Sequence, residues 1–458
     1  MDKNSGDSPA VRYSIVLAAS LLLCGCGTTG LPWNQIHGDM RNTSFQRVGP
    51  RTLDISKAQQ FVVGDPVSSA PVETPSGALL LAIQVVPPKP ISANNQNPNP
   101  TWTVRQINPQ QTSGLPITAF STWVSGQIAT PAVDSQGAAY LATYTYSLAG
   151  PGNSAYVTIS KIRADGTLLW SNSDATTFPR PSQAPAPKLV EIGGNVAVFV
   201  GVMGKSDYRI LAIDGSGRLH SVTSCTPSES NSGFFASAAP PGPPPPPYFE
   251  DPTLSLATDA NNTPYLIDSA NSCGIGFFEL ASFTTVPADW PNGLLFPKFI
   301  KLERTGSQLG TPAVSTFAEN VLLSQNGSLE AYDFTKGEKI KNWPKGIASA
   351  PSPSLAIALN SVLILNNSYL SLVATDHPTL ATAPAYLIGN VYATALTPNM
   401  VYALGDSGVY AFDTSMNLKS FAAIPPGKLG NGGGMIVTSK GSLVVASRNG
   451  TTYIFPQN

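Results

Sequence analysis

The chain has few charged side chains. Asp, Glu, Lys and Arg together make up 12% of its 458 residues, about half of the roughly 25% that is typical of globular domains. The formal net charge is −1, so the composition offers no basic surface for the phosphates of a nucleic acid. We therefore expect a polar but mostly neutral surface, as in secreted and envelope proteins, and no nucleic-acid partner.

Helical periodicity is also missing. No stretch keeps apolar residues at positions i, i+3, i+4 and i+7 over four turns. The chain contains 40 Gly and 42 Pro, residues that favour turns and disfavour long helices. Because 42% of the residues are hydrophobic, a sizeable core is still available. These features predict an all-β fold.

Apolar runs are short, and the most apolar one, residues 14–23, reads SIVLAASLLL. A membrane-spanning helix needs about 20 apolar residues, whereas this run has the length of a signal-peptide core. The sequence Leu23-Cys24-Gly25-Cys26 that ends it resembles a bacterial lipobox. We predict that residues 1–25 are a lipoprotein signal peptide and that Cys26 is lipidated. Lipidation of Cys24, or an ordinary secretory signal, are the alternatives.

The residue after the lipidated cysteine sorts lipoproteins between membranes. Gly27 stands at that position, and it is not the aspartate that retains lipoproteins in the inner membrane of enteric bacteria. The resemblance to lipoproteins therefore implies an outer-membrane protein that faces the periplasm. Besides Cys24 and Cys26, the chain has two cysteines, Cys225 and Cys273. In an oxidising compartment such a pair is expected to form a disulfide.

A phrase of strand, tight turn and strand recurs along the chain. The copy at 321–343 reads VLLSQNGSLEAYDFTKGEKIKNW, with turns at 325–327 and 335–337. Eight copies begin near Val67, Gln127, Gln183, Glu250, Gln308, Ala348, Asn390 and Gly430. The last two spacings, 390 − 348 = 42 and 430 − 390 = 40, fit a four-stranded propeller blade of roughly 40–50 residues. We predict a single β-propeller over 53–458, with eight blades favoured over seven.

Longer spacings between the earlier copies are explained by insertions. Residues 87–100 (PPKPISANNQNPNP) would lengthen a hairpin of the first blade, and 240–247 (PPGPPPPP) would lie between the third and fourth. The last copy has room for only three strands before the chain ends at Asn458. We therefore predict that the segment 53–63 supplies the fourth strand and closes the ring through pairing of the two ends of the chain.

Several motifs resemble the PQQ-like, or quinoprotein-type, β-propeller repeat. The segment 33–44 (WNQIHGDMRNTS) is similar to the opening phrase of that family, and 327–337 (GSLEAYDFTKG) is similar to its repeat. Gly166 and Trp170 keep the family spacing of a glycine and a tryptophan, which implies that the Trp170 indole docks between neighbouring blades. The resemblance extends, more distantly, to the propeller lipoproteins of outer-membrane barrel assembly. Residues 26–52 would then be a tether and packing segment.

The residues of quinoprotein catalysis are not found. No two cysteines are adjacent, and the three histidines, His37, His220 and His377, show no paired-ligand spacing. The oxygen-rich pairs at 250–251 and 259–262 lack an EF-hand pattern and are expected to be turns. We predict no catalytic residues, cofactor or metal, and a monomeric, non-catalytic scaffold that binds an unidentified envelope protein. The alternatives are a PQQ-dependent dehydrogenase and a periplasmic ligand-binding propeller.

Overall fold

The structure is a computed structural model of the whole chain. It describes residues 46–64, 67, 69–86, 101–110, 117–120, 124–125, 127–146, 154–173, 178–179, 186–192, 195–203, 208–213, 217–223, 256–258, 264–268, 274–280, 294–300, 313–314, 320–325, 328–333, 338–340, 356–358, 361–366, 369–374, 386–387, 390–425, 428–429 and 433–457. These residues form strands, turns and irregular segments, so the all-β prediction is confirmed for them. None of them belongs to a helix with the length and apolar character needed to span a membrane.

The described residues contain 35 strands. The first twelve are β1 (Gln59–Val62), β2 (Val72–Glu73), β3 (Leu79–Val86), β4 (Thr101–Ile107), β5 (Ile117–Ala119), β6 (Val124–Ser125), β7 (Gln127–Ile128), β8 (Ala132–Val133), β9 (Ala139–Tyr146), β10 (Ser154–Ile162), β11 (Leu168–Ser173) and β12 (Phe178–Pro179). The next twelve are β13 (Lys188–Ile192), β14 (Asn195–Met203), β15 (Tyr208–Ile213), β16 (Leu219–Thr223), β17 (Leu256–Thr258), β18 (Pro264–Asp268), β19 (Gly274–Leu280), β20 (Leu294–Ile300), β21 (Ala313–Val314), β22 (Asn320–Gln325), β23 (Ser328–Asp333) and β24 (Glu338–Lys339). The last eleven are β25 (Ala356–Ala358), β26 (Ser361–Asn366), β27 (Tyr369–Ala374), β28 (Tyr386–Leu387), β29 (Val391–Leu396), β30 (Met400–Gly405), β31 (Gly408–Asp413), β32 (Leu418–Ala423), β33 (Gly433–Val437), β34 (Leu443–Ser447) and β35 (Thr451–Phe455).

These strands pair into antiparallel sheets, of which the described part of the chain contains eight. Sheet 1 comprises β2–β6, sheet 2 β7–β12, sheet 3 β13–β16, sheet 4 β17–β20, sheet 5 β21–β24, sheet 6 β25–β28, sheet 7 β29–β32, and sheet 8 β33–β35 with β1. Each predicted start of a repeat lies at the first strand of a sheet or up to eight residues before it. Gln127 is the first residue of β7, and Asn390 directly precedes β29.

Consecutive sheets contact each other through their first strands. Contacts join β2 to β8, β8 to β13, β17 to β21, β21 to β25, β25 to β29 and β29 to β33, while β14 joins sheet 3 to β17. The first strand of each sheet is therefore the innermost, and the last strand is the outermost. Each sheet in this way covers the apolar face of its neighbour.

Sheet 8 also contacts sheet 1. One apolar cluster combines Leu79 and Leu81 of β3 with Val437 of β33 and Val444 of β34. The backbone N–H of Val67 donates a hydrogen bond to the carbonyl of Arg448, at 3.1 Å. The described fold is thus all-β and propeller-like, with the sheets in contact in chain order and the last in contact with the first.

The two ends of the described chain pair in sheet 8. Strand β1 lies antiparallel to β35, with Gln59 opposite Ile454 and Val62 opposite Thr451, and it forms the outer edge of the sheet. The predicted pairing of 53–63 with the last three strands is therefore present, but the strand is shorter than predicted. In residues 53–58, Asp54 accepts hydrogen bonds from the backbone and hydroxyl of Ser56, at 2.9 and 2.6 Å. Such a side-chain bond stabilises a turn in place of a strand.

Candidate functional site

A recurring turn joins the two innermost strands of three sheets, at 74–78, 134–138 and 438–442. In each turn the backbone N–H of the first residue donates a hydrogen bond to the carbonyl of the fifth, and the side chain of the first accepts one from the N–H of the fifth. In the second turn these bonds join Asp134 and Ala138, at 2.9 and 2.8 Å. The fourth residue is a glycine with φ near +80° in every case, a conformation that side chains with a Cβ rarely adopt. We call the end of the sheets that carries these turns, together with 397–400 of sheet 7, the first-turn face.

The turns of neighbouring sheets lie against one another. A Cβ placed on Gly137 would be 4.0 Å from Pro75, and one on Gly77 would be 3.7 Å from the Lys440 amine. The turns of sheets 8, 1 and 2 therefore share one face of the molecule. In sheet 2 the turn between β10 and β11 belongs to it as well, because a Cβ on Gly137 would also lie 3.3 Å from Ala164 in that turn.

Two carboxylates fasten neighbouring sheets at this face. Glu73 of β2 accepts hydrogen bonds from the backbone N–H and the hydroxyl of Ser439 in sheet 8, at 2.6 and 2.7 Å. Glu191 of β13 accepts one from the backbone N–H of Ser135 in sheet 2, at 2.6 Å. Glu73 is buried, whereas Glu191 is exposed. The same kind of contact thus occurs at two junctions, with different degrees of burial.

Asp134 is the centre of a second polar cluster. Its buried carboxylate accepts a hydrogen bond from the Tyr140 hydroxyl at 3.0 Å and lies 3.5 Å from the Lys161 amine. The Lys161 amine also lies 4.9 Å from the centre of the Tyr140 ring. Burial, and secondarily the charge of Asp134, raise the pKa of Tyr140 well above its usual value. The cluster connects the turn 134–138 to strands β9 and β10, and its polar groups interact with one another.

Trp170 of β11 docks between sheets 2 and 3, as its spacing from Gly166 implied. It packs against the cluster that contains Leu189 and Val198 of sheet 3, and its ring lies edge-on to Tyr140 at 6.2 Å between centroids. A Cβ on Gly217 would lie 3.2 Å from the indole, closer than an ordinary van der Waals contact, and the positive φ of this residue, +86°, also favours glycine. The side-chain amide of Asn172 donates a hydrogen bond to the Gly217 carbonyl beside it.

Large apolar side chains that are substantially exposed lie on the outermost strands. In the part of the chain that the structure describes they are Val62 on β1, Leu168 and Leu169 on β11, and Leu418 and Phe421 on β32. Val62 is 76% exposed, and the others are 39–48% exposed. We call this set the rim residues. They are distributed over the outer strands of sheets 2, 7 and 8.

Most sequence-predicted site residues lie outside the described residues. These are the lipidation candidates Cys24 and Cys26 and the predicted disulfide pair Cys225 and Cys273, so both modifications remain predictions. The opening phrase at 33–44 and the insertions at 87–100 and 240–247 are outside as well. Within the described ranges, no group of three or more His, Cys, Asp or Glu side chains is placed to hold a metal ion.

The sequence analysis missed the polar contacts of the first-turn face. A signal for them was present, because 72–78 (VETPSGA), 133–138 (VDSQGA) and 437–442 (VTSKGS) are variants of one phrase. Comparison of the three phrases places a polar residue before the glycine turn each time. The phrase does not tell which neighbouring sheet supplies the partner, and this information comes only from the packed structure.

Among known proteins, only solved structures resemble this chain, and the resemblance concerns the fold. No family model matches the chain, and no curated protein does. A computationally designed protein, Ika8, is 11% identical with a TM-score of 0.48, over 87% of this chain and 100% of that one. The WD40 β-propeller domain of Doa1 is 13% identical with a TM-score of 0.41, over 87% and 97%. Apo AztD from Citrobacter koseri is 11% identical with a TM-score of 0.37, over 75% and 86%.

Proposed function

We propose that the chain is an outer-membrane lipoprotein whose eight sheets form one closed β-propeller of the PQQ-like type, and that it acts as a non-catalytic scaffold for an envelope protein. Cys26 carries the lipid, residues 26–52 include the tether, and Cys225 and Cys273 form a disulfide. The protein is a monomer and uses no cofactor.

Contacts around the whole series of sheets support the closed ring. Each sheet packs on the next through its inner strands, and sheet 8 packs on sheet 1. Pairing of β1 with β35 supplies the fourth strand of sheet 8. A ring of this kind buries both faces of every blade and leaves only short edges exposed.

The observation that carries the scaffold function is the position of the rim residues. Val62 and Phe421 lie on the outer strands of the adjacent sheets 8 and 7. Phe421 also packs on Tyr410, with 4.6 Å between ring centroids, which holds its ring in place at the surface. Aromatic and branched apolar side chains held in this way are suited to anchoring a protein partner. The buried carboxylates, in contrast, are engaged in turns and sheet junctions.

Site-specific photo-crosslinking in intact cells tests the scaffold function. A photoreactive residue at Val62 or Phe421 should give an adduct with the same envelope protein, and one at the exposed polar Gln136 should not. Absence of an adduct at all three positions, in a protein that is folded and membrane-bound, would contradict the proposal. Binding of quinone and calcium, seen as an absorbance change, would favour a dehydrogenase instead.

The lipid is tested separately by mass. The protein extracted from membranes should begin at Cys26 and carry acyl chains, and Cys26→Ser should abolish both the processing and the acyl mass. A soluble product that retains Cys24 and carries no acyl chain would remove the lipoprotein assignment without affecting the fold.

A further inference from the structure

The first described residues cross sheet 7 from its innermost to its outermost strand. The backbone N–H of Gln46 donates to the carbonyl of Leu396, at the end of β29, at 2.8 Å. The Tyr402 hydroxyl donates to the carbonyl of Pro50 at 2.6 Å, and the Leu53 N–H donates to the Ser420 hydroxyl on β32 at 2.8 Å. Because Leu396 directly precedes the turn 397–400, Gln46 lies at the inner strand on the first-turn face.

The crossing segment is closely packed. A Cβ on Gly49 would lie 2.6 Å from the Tyr402 hydroxyl and 2.9 Å from the Thr397 methyl group. Burial raises the pKa of Tyr402 well above its usual value, as expected for a hydroxyl enclosed between the segment and its sheet. The segment 46–50 is therefore held closely against sheet 7.

The chain before Gln46 is short. From Cys26 to Gln46 there are 46 − 26 = 20 residues, which span at most about 70 Å when fully extended. A flexible linker of this length has a mean end-to-end distance of roughly 22–27 Å. A lipid on Cys26 would therefore hold the first-turn face, rather than the opposite end of the sheets, close to the membrane.

Three of the rim residues lie at this same end. Leu168 and Leu169 follow the turn between β10 and β11, and Leu418 follows the turn between β31 and β32. Ile162 pairs with Ala139, so the turn between β10 and β11 lies beside the turn 134–138. Met400 pairs with Asp413, so the turn between β31 and β32 lies beside the turn 397–400. Val62 and Phe421 lie farther along their strands, away from these turns.

Charges near the three leucines are paired. Arg163 lies 3.7 Å from Asp165, and Lys419 lies 2.8 Å from Asp413. The charges beside the exposed leucines are thus balanced, and the surface there is locally neutral. A surface of this kind binds the interface of a bilayer through its apolar side chains, with little dependence on anionic lipids or on salt.

We propose that in the anchored protein the first-turn face lies against the membrane surface, with Leu168, Leu169 and Leu418 in the headgroup region. The proposal rests on the proposed function, because it uses the tether from Cys26. It names the membrane as the partner of one end of the rim, and it leaves Val62 and Phe421 free for the protein partner.

Environment-sensitive fluorescence on tethered protein tests this orientation. Residues 1–26 are replaced by a hexahistidine tag, and the protein is bound to phosphatidylethanolamine–phosphatidylglycerol vesicles that contain a nickel-chelating lipid. A fluorophore is attached through Leu168→Cys or Leu418→Cys, and through Ser407→Cys as the control. Ser407 is exposed in the turn at the opposite end of sheet 7. The parent protein without an introduced cysteine gives the background.

Vesicle binding should raise emission roughly twofold at positions 168 and 418 and leave position 407 unchanged, as expected for side chains that enter the interface. The increase should persist in high salt. A response at 407 alone, or at none of the three positions while the protein remains vesicle-bound, overturns the proposed orientation. The chelating lipid replaces the natural anchor, so this test is independent of whether Cys26 is lipidated. Failure of the lipoprotein assignment would show only in the mass of the native protein.

Discussion

The carboxylate of Glu73 accepts two hydrogen bonds from Ser439, a residue 366 positions later in the chain, at 2.6 and 2.7 Å. This contact joins sheet 1 to sheet 8, where the beginning and the end of the described chain meet. The side chain of Glu73 is buried and Ser439 is half-buried, so water compensates only in part when the contact is lost.

We expect Glu73→Ala to lower the free energy of unfolding by about 2–3 kcal/mol, because it removes two hydrogen bonds to a buried carboxylate and leaves the half-buried Ser439 without its charged acceptor. The matched control is Glu191→Ala, which removes an exposed contact of the same kind and should cost about 0.5–1 kcal/mol. Urea denaturation of both variants measures the difference. Equal losses would show that burial of the carboxylate does not set its contribution.

The junction between sheets 1 and 2 lacks this contact, and two residues explain why. Pro75 stands where Ser135 and Ser439 stand in the other turns, and it has no N–H to donate. Val133 stands where Glu73 stands, and it is fully buried. The carboxylate and the serine that donates to it are thus both present at the junctions of sheets 8 and 1 and of sheets 2 and 3, and both absent at the junction of sheets 1 and 2.

A double-mutant cycle tests this pairing. Val133→Glu alone should destabilise the protein by about 3–5 kcal/mol, because it buries a charge without a partner. Adding Pro75→Ser should recover about 1–2 kcal/mol of that loss, beyond the effect of Pro75→Ser alone. A coupling energy near zero in urea denaturation would mean that the turn cannot present its N–H to the new carboxylate.

Strand β1 should stabilise more than its own sheet. A protein that starts at Asp65 lacks β1, so it should have a lower midpoint of thermal unfolding and lose hydrogen-exchange protection in 443–455. The reason is that β35 becomes an open edge. A protein that starts at Gln46 keeps β1 and is the control. Unchanged protection in the Asp65 form would mean that the last three strands are stable without the amino-terminal strand.

Alkaline pH should destabilise the fold through buried tyrosines. Burial raises the pKa of Tyr140 and of Tyr402 above the ordinary value near 10. Because the folded state keeps its proton longer than the unfolded state, this contribution to stability is complete below pH 10 and is lost as pH rises above it. Tyr140→Phe should therefore be less stable than the parent at pH 7, yet lose less stability between pH 10 and 12. Urea denaturation across that range checks the slope, and Tyr156→Phe on the neighbouring strand β10 serves as the control.

The sequence predicted those parts of the fold that depend on local pattern. Alternation of apolar residues and glycine turns located the first strands of the sheets, and the strand count of 430–458 indicated that β1 joins β35. The spacing of Gly166 and Trp170 predicted the docking of the indole. The same local pattern predicted a strand over 53–63, which is longer than the observed β1. The difference arises because the side chain of Asp54 stabilises a turn in the first part of that segment.

Contacts between distant residues were not predictable in this way. Glu73 and Ser439 each look like an ordinary polar residue beside a turn, and their meeting depends on how sheets 1 and 8 are set against each other. The ion pair between Lys161 and Asp134 lies within one sheet, but it also joins residues that are apart in the sequence, across strand β9. The sequence pattern indicates which segments are strands, but not how strands and sheets are aligned with one another.

The pairing of β1 with β35 also has a consequence for biosynthesis. Thr451 lies opposite Val62 and follows it by 451 − 62 = 389 positions in the sequence. At roughly 5–20 residues per second, the ribosome needs about 20–80 s to cover them. During that time β1 has no strand to pair with, although it is among the first segments made. Completion of sheet 8 is therefore a late step of biosynthesis, and β1 stays without its partner strand until then.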